Sequence, residues 1–428
     1  MPRISTTIRN TIRSAAWMWL LFATAPLQAA GRSVILIGWD TLRADHIGDL
    51  GYARNTTRNL DSLARRSFLF TNAISPSSWT LPTFMSIFTS LYPSEHGMTN
   101  SARLAGGGTD MEQVSLSVSV TTLAQVLKTG GYKTAAFTAG WPLLPVFGFD
   151  RGFDIFTFTD NLGSFKTTFR QALDWLKKNR GTNYFVFIHG YDTHSPPDLD
   201  LDGNYKFISR EEAPSIPHIV FGAAEKDRKL LTDVYDEKIS RTDALLGKFM
   251  ADLTSLGGEA NGPVIIFLAD HGEGLYDHGN AEHGQNLYDE SIHVPLLIYD
   301  PAMGSGAVNS QVSTLDVFPT ILDLAGIKPG KKLERQLRGK SLVTYMKGGT
   351  DNRDAFSETE WMYRVHKRSL RKSDGMKLIL DGITQNIELY DTAADPREKN
   401  DLAEKEPGKA YALEMQLLDW EEGLKPYR

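Results

Sequence analysis

Val34-Ile35-Leu36-Ile37-Gly38-Trp39-Asp40-Thr41-Leu42-Arg43-Ala44-Asp45-His46 opens as an unbroken apolar run and ends in acids and a histidine. Continuous apolar residues, rather than alternating ones, are what a strand buried on both faces requires, as in parallel sheets. Two later stretches repeat the design. Phe185-Val186-Phe187-Ile188 leads into His189-Gly190-Tyr191-Asp192-Thr193-His194, and Val264-Ile265-Ile266-Phe267-Leu268 into Ala269-Asp270-His271-Gly272-Glu273. One aspartate after a strand is a common turn residue. Three strands that each end in acids and histidines point instead to a shared site, because open α/β sheets bind ligands past the carboxyl ends of their strands.

Helical spacing separates these runs. Leu60, Leu63 and Ala64 share a face, as do Leu123, Val126 and Leu127 ahead of the stop Gly130-Gly131, and Phe169, Leu173 and Leu176. A long amphipathic stretch follows from Val234 to Leu253, with Ile239, Leu245, Leu246 and Phe249 available to one face. Lys133 to Phe137 and Val294 to Tyr299 read as further strands, and Phe318 to Gly326 as a short helix. The alternation predicts an α/β fold, a mainly parallel sheet between helices. Beyond Lys347-Gly348-Gly349 short strand-like runs take over, Met376 to Leu380 and Ile387 to Tyr390, split by the turns Asp374-Gly375 and Asp381-Gly382. The expected organisation is a signal peptide over residues 1–29, a catalytic domain over 30–346, and a small antiparallel-sheet-plus-helix lobe over 347–428. Ala105-Gly106-Gly107-Gly108 reads as a mobile loop.

Composition narrows the function. The 428 residues are 41% hydrophobic and 23% charged, with a net charge of −6. That balance describes a soluble globular chain and gives no sign of nucleic-acid binding. There is no cysteine, so disulfides, zinc thiolates and a cysteine nucleophile are excluded. Arg3, Arg9 and Arg13 precede the short apolar core Ala15 to Ala23, and small residues follow at Ala25, Ala29 and Ala30. This is the build of a secretory signal peptide. The core is short of the ~20 residues that span a bilayer. The expectation is a periplasmic protein with no stable membrane span after cleavage.

The chemistry centres on Ser77-Ser78-Trp79-Thr80-Leu81-Pro82-Thr83-Phe84-Met85-Ser86. Pro82 suits a first helical turn, and a hydroxyl there sits where the helix dipole favours negative charge. Taken alone, Thr80 reads as a helix N-cap. Set beside Asp40, Asp270 and His271 at strand ends, its oxygen can complete a site for one divalent metal ion. Such an ion lowers a hydroxyl pKa and screens the attacked anion. Manganese, zinc and calcium all suit this donor set. His194 and His283 are candidates to bind the anion or protonate a leaving oxygen, and Glu273 to orient a neighbour. Asp277-His278 reads as loop.

The same residues fall in a longer pattern. Ile37 to His46, Ser78 to Thr83 running into Thr89 to Gly97, His189 to Pro196, Asp270 to Glu273, His283-Gly284, Leu287 to Glu290, His293 to Pro295, Asp316 to Thr320, and Glu388 to Asp391 with Asp395-Pro396 occur in order. In these the chain resembles the sulfatase family of the alkaline phosphatase superfamily. The resemblance implies an α/β core with a smaller C-terminal sheet, one metal held by Asp40, Asp270 and His271, and Thr80 at the nucleophile position. It also implies a substrate-binding role for His194, and places His283 near a lysine of many sulfatases.

The chain departs from the family where it matters most. Type I sulfatases convert a Cys or Ser to formylglycine within a Cys/Ser-x-Pro-x-Arg signature. Here Thr80 occupies that position, and threonine cannot become that aldehyde. Phe84 replaces the arginine, and Gly140-Trp141-Pro142 stands where a lysine-x-histidine is usual. These changes resemble the phosphoryl-transfer branch, which includes nucleotide phosphodiesterases and phosphoglycerol transferases. The expectation is therefore an exported phosphodiester or phosphonate monoester hydrolase, or phospho-group transferase, acting through a covalent Thr80 intermediate. The runner-up is a sulfuric ester hydrolase without formylglycine. A third reading is an inactive relative that binds a glycan or lipid headgroup. A small-molecule, lipid-headgroup or glycan ester is the expected substrate.

Overall fold

The computed structural model describes residues 31–104, 111–159, 163–194, 205–209, 211–212, 225–257, 262–362 and 364–427. The expected signal peptide and the glycine run at 105–108 lie outside them. In chain order the strands are β1 (Val34–Trp39), β2 (Phe68–Ile74), β3 (Ala102–Leu104), β4 (Met111–Gln113), β5 (Lys133–Thr138), β6 (Ile155–Phe158), β7 (Tyr184–Gly190), β8 (Val264–Ala269), β9 (His293–Tyr299), β10 (Gly306–Val308), β11 (Val312–Ser313), β12 (Ala355–Trp361), β13 (Val365–Arg371), β14 (Met376–Asp381) and β15 (Ile387–Asp391). The longer helices are α1 (Arg58–Ala64), α2 (Thr80–Thr89), α3 (Leu123–Thr129), α4 (Phe165–Lys178), α5 (Arg228–Ser255), α6 (Val317–Leu324) and α7 (Pro407–Gly423).

The main sheet runs β10-β2-β9-β8-β1-β7-β5-β6, with β11 beside β2. The strands β8, β1, β7, β5 and β6 are all parallel, and β9 runs against both its neighbours. The three runs read first from the sequence are thus the adjacent central strands β8, β1 and β7. All six residues of β1 and of β8 are buried, which is why neither shows polar alternation.

Successive residues of β1 address the two faces of the sheet. Gly38 faces α2, where a Cβ would lie 2.6 Å from the Phe84 ring. Trp39 faces the other way, its ring 5.8 Å from that of Phe165 on α4. Every residue of α2 is buried, as expected of a helix that is apolar nearly all round. The missing side chain at Gly38 is what lets α2 lie this close to the central strand. Gly38→Ala is expected to cost roughly 1–3 kcal/mol by overpacking, measured as a drop in the denaturant midpoint. A Phe84→Leu partner should recover part of the loss, and no recovery would place the strain elsewhere.

The second sheet is the antiparallel ladder β12-β13-β14-β15. Leu370, Leu378, Leu380 and Leu389 pack there with Leu413 and Leu417 of α7. Charged side chains tie this lobe to the main sheet. Lys377 is fully buried and bridges Asp289 and Glu398, each at 2.8 Å, and Arg353 reaches Asp316 at 2.7 Å. Buried charges are tolerated only when paired like this.

Candidate active site

Strand register assembles the centre. Trp39 pairs with Gly190 of β7 and with Ala269 of β8. The next residues, Asp40, Tyr191 and Asp270, therefore leave the sheet level with one another. Asp40, Asp270 and His271 are fully buried and offer ligand atoms within 4.8 Å of each other. Thr80 enters from α2. It is the first helical residue and not the cap: the cap position is Trp79, whose side chain makes no capping bond. Thr80 Oγ1 instead lies 3.3 Å from Asp40 Oδ2 and 3.2 Å from His271 Nε2. This corrects the N-cap reading of the hydroxyl.

Donors and acceptors do not balance here. His271 Nδ1 faces the Gly272 carbonyl at 2.8 Å. A carbonyl only accepts, so Nδ1 carries the hydrogen and Nε2 of the neutral ring presents a lone pair. That lone pair also lies 3.3 Å from Asp270 Oδ2. Burial, reinforced by the charge on His283, holds His271 well below the usual imidazole range. Asp40 Oδ1 and Asp270 Oδ2 are buried without a hydrogen bond. Burial raises Asp40 to about 8, and burial together with the Asp40 charge raises Asp270. Carboxylates and an imidazole lone pair that converge with too few donors fit a cation. The orphaned oxygens are thus the observation that supports a divalent ion at Asp40, Asp270 and His271, with the Thr80 oxygen beside it.

The other candidates gather around this centre. The His283 ring lies 4.4 Å from that of His271 and 4.8 Å from that of His194. Its Nδ1 is 2.9 Å from Glu273 Oε1. Burial opposes charge on His283, but the carboxylates of Glu273, Asp40 and Asp270 outweigh it and push the group up to about 9. The acidic neighbours thus favour the charged form of His283, which the family resemblance sets near a lysine of many sulfatases. His194 stacks on Tyr191 with ring centroids 4.0 Å apart. Phe84, at the position of the family's arginine, lies in the apolar layer, 5.0 Å from the His189 ring. His278 bonds Glu290 at 2.8 Å and belongs to the link with the second lobe.

Several supporting residues are not evident from sequence spacing. His189 donates from Nδ1 to the Ala139 carbonyl at 2.9 Å and turns Nε2 toward Asp40 Oδ2 at 3.2 Å. Its place at the end of β7 was the available signal. Thr193 Oγ1 donates to the Asp40 carbonyl at 2.5 Å and accepts from Trp39 Nε1 at 2.9 Å and from Thr41 Oγ1 at 3.2 Å, fastening the ends of β1 and β7. Thr41 has φ 59°, a costly conformation for a β-branched residue. It is held by its N–H to Asp270 Oδ1 at 3.3 Å and by the Tyr235 hydroxyl donating to its carbonyl. From the same helix as Tyr235, Lys238 Nζ donates to the His194 carbonyl. A cavity of about 610 Å³ opens at the opposite edge of the sheet, around Gly31, Tyr184 and Pro263. No acid or histidine is among its described lining residues, so the chemistry lies with the smaller cluster.

Comparisons with known proteins bear on the family and the fold. The profile described as "Sulfatase" matches residues 32–327, and that of "N-sulphoglucosamine sulphohydrolase, C-terminal" matches residues 277–420. Arylsulfatase K of Mus musculus is 31% identical over 205 residues, 45% of this chain and 36% of that protein. The Homo sapiens protein of that name is 28% identical over 212 residues, 45% of this chain and 37% of that one. The match thus spans little more than a third of these relatives. Among solved structures, the phosphonate monoester hydrolase of Agrobacterium radiobacter superposes with TM-score 0.71 at 20% identity, over 92% of this chain and 96% of that one. A protein solved with its substrate D-glucosamine-2-N,6-O-disulfate gives 0.69 at 18%, over 92% and 98%. The structural matches establish the common fold. With the first profile covering well over half of the sequence, and its span holding Asp40, Thr80, Asp270 and His271 in one buried cluster, the chain belongs to the sulfatase family.

Proposed function

We propose that this protein is a hydrolase of singly charged oxyacid esters, with Thr80 as its nucleophile. The observation that carries the reading is the Thr80 hydroxyl. It stands at the N-terminus of a buried helix, takes no part in capping, and points to Asp40 and His271. A divalent ion held by Asp40, Asp270 and His271 would supply charge screening and a lowered hydroxyl pKa. The residues do the rest. Asp40 Oδ2 is placed to accept the Thr80 hydrogen, and the helix dipole favours negative charge at that oxygen. The bond from Thr80 Oγ1 to sulfur or phosphorus forms as the bond to the leaving oxygen breaks, and His283 or His194 gives that oxygen a proton. Water then attacks the same centre and gives a proton back to that histidine, while the bond to Thr80 Oγ1 breaks and Thr80 regains its hydrogen from Asp40. Arg43 is already bound to Asp45 and Asp277, each at 2.7 Å. Its charge is thus already met, which leaves His283 and the ion to face the ester.

Two observations bear on the acid. The relatives named arylsulfatase K, and a neighbour solved with a sulfated glucosamine, support a sulfate ester. Thr80, which cannot become formylglycine, supports a phosphodiester or phosphonate monoester, as does the neighbouring phosphonate monoester hydrolase. The sulfate reading ranks first, because it rests on several named relatives while the phosphorus reading rests mainly on one residue. Transfer to an acceptor hydroxyl and action on a glycan or lipid headgroup are variants of the same chemistry. Among the described residues no helix is long and apolar enough to cross a membrane. Export to the periplasm is part of the proposal, and N-terminal sequencing of the mature protein tests it.

The deciding assay presents aryl sulfate, aryl phosphonate monoester and aryl phosphodiester to the protein with manganese, zinc or calcium added in turn. Fastest turnover of the sulfate supports the first reading. Fastest turnover of either phosphorus ester replaces it with the second. No metal-dependent turnover of any ester would leave a binding protein.

A further inference from the structure

Glu273 and His283 are the two stems of one loop. Their side chains meet at 2.9 Å. Between them the chain turns back on itself, with the Tyr276 N–H donating to the Asn280 carbonyl at 2.9 Å. The stems are pressed together, since a Cβ on Gly274 would lie 2.6 Å from the Asn280 carbonyl oxygen and 2.7 Å from that of Glu282. What holds the tip of so tight a loop therefore bears on where His283 stands at its base. The tip has two kinds of hold. Asp277 is paired with Arg43 and Arg228. Burial opposes its charge, but Arg43 outweighs burial and keeps the carboxyl below its usual range, so this hold persists through neutral pH. His278 supplies the other. Its ring stacks on Tyr288 with centroids 3.7 Å apart. Nδ1 lies 2.8 Å from Glu290 Oε1, and Nε2 lies 3.0 Å from the Glu398 carbonyl oxygen of the second lobe.

Both of those oxygens accept. The Glu398 carbonyl has no hydrogen to give, so Nε2 must carry one. An ionised Glu290 has none either, so a second proton must lie between Nδ1 and Oε1. The contact thus holds one proton more than a neutral imidazole and a carboxylate have between them. Burial opposes charge on His278, but Glu290 and the Glu398 carbonyl outweigh it, and the group lies above the usual imidazole range. The groups that face the ring are Glu290 on the short helix Asp289–Ile292, the Tyr288 phenol, and Lys399 beyond β15, whose charge works against protonation. The Glu398 carboxylate is turned away, to the Asp289 N–H and to Lys377. The His278 side chain is 11% exposed, so water is a poor substitute for a lost bond. Because the folded value is the higher one, the contact is complete below the ordinary imidazole value and is lost as pH rises through the raised one.

We propose that His278 is a proton-dependent latch between the loop that carries His283 and the second lobe. Protonated, its ring joins Glu290 to the Glu398 carbonyl and fixes the loop tip. Deprotonated, it gives up one of the two bonds, and the tip keeps only the Asp277 hold on the main domain. His278 touches none of the reacting atoms and is a positioning residue, acting on His283 through the loop. The consequence for turnover rests on the reading of the cluster as an ester site, whereas the latch itself does not.

The test uses the full chain with zinc added and two readouts that need no substrate. Carbon-13 NMR of histidine-labelled protein follows the ring itself, the signal missing from His278→Gln being that of His278. It should titrate above ~6.5. Amide hydrogen exchange over residues 276–283, corrected for the intrinsic effect of pH, should rise about 10-fold across the same titration in wild type, the size expected for one lost hydrogen bond to a charged group. His278→Gln has no such proton, and its corrected profile should be flat. Glu290→Gln keeps an acceptor oxygen and removes the charge, so it should move both the NMR titration and the exchange step down by about 1 pH unit. A side chain that only filled space would give no such shift. An exchange rise of equal size in His278→Gln places the pH response elsewhere and overturns the proposal. So does a His278 titration at or below ~6.5. Should neither variant fold, a flat wild-type exchange profile still overturns it. An exchange step in a protein that cleaves no ester would sink the hydrolase reading and leave the latch standing.

Discussion

Thr80→Ala is expected to lower kcat/KM by on the order of 10³- to 10⁵-fold, with kcat carrying the loss. The fold should survive the change. The hydroxyl is not a helix cap, and both its partners, Asp40 and His271, lie at the metal cluster, so alanine removes no bond that holds α2 in place. Circular dichroism should match wild type. Thr80→Ser keeps an oxygen at the same point and should retain activity within about tenfold. A second readout follows from the covalent step. Rapid acid quench during turnover should leave a sulfuryl or phosphoryl group on the peptide containing Thr80, identified by mass, and none in the alanine variant. Full activity in Thr80→Ala would end the proposed mechanism. So would an adduct on Ser77 or Ser78, whose hydroxyls are buried without a hydrogen-bond partner.

The second large effect separates stability from function. Asp40 and Asp270 are fully buried beside one another, and each carries an orphaned oxygen. In the cation-free protein their mutual repulsion opposes folding. A bound divalent ion at 100 times its dissociation constant should add ~2.7 kcal/mol of stability, read as a higher thermal midpoint that a chelator reverses. Asp270→Asn keeps Oδ1, which accepts from the Thr41 and His271 amides at 3.3 and 3.0 Å, while removing the charge. The chelated variant should therefore be more stable than chelated wild type by on the order of 1–3 kcal/mol, yet lose metal-dependent stabilisation and activity together. A variant less stable than wild type under chelation would show that Asp270 is held by something other than a cation, and would remove the basis for the ion.

The sequence reading and the structure agree where a residue's neighbours along the chain decide its fate. The runs at Val34, Phe185 and Val264 are legible as buried strands because six or so consecutive apolar residues have few other uses. Their terminal acids and histidines are legible because a strand end fixes where they emerge. The second lobe was visible in its change of period and its Asp-Gly turns. What the sequence leaves illegible depends on contacts across the chain. Tyr235 and Lys238 sit in a helix whose pattern reads as ordinary amphipathic packing, and nothing local says that its polar residues fasten Thr41 and His194. Trp361 ends a strand of the other lobe, so its position beside His283 exists only once the two sheets dock. His189 lay in a recognised motif, but its meaning depends on a tautomer fixed by the Ala139 carbonyl. Thr80 and Phe84, the residues that favour phosphorus, are substitutions that describe what the site lacks, while the named relatives favour sulfate. A local pattern identifies a nucleophile more readily than the atom it attacks.

The central position of β1 has a consequence for how the protein is made. Its partners β7 and β8 arrive late, and the residues joined across β1 and β8, Thr41 and Asp270, are 229 positions apart. A growing chain that has emerged only as far as Gly262 already contains Asp40 and Thr80, but it has no cation site, because half the ligands are still to come. Contacts of such long range slow folding and leave sheet edges open meanwhile. On the proposed reading, metal capture would be a late event in the life of each molecule, and uptake of the ion would report that the central sheet has closed.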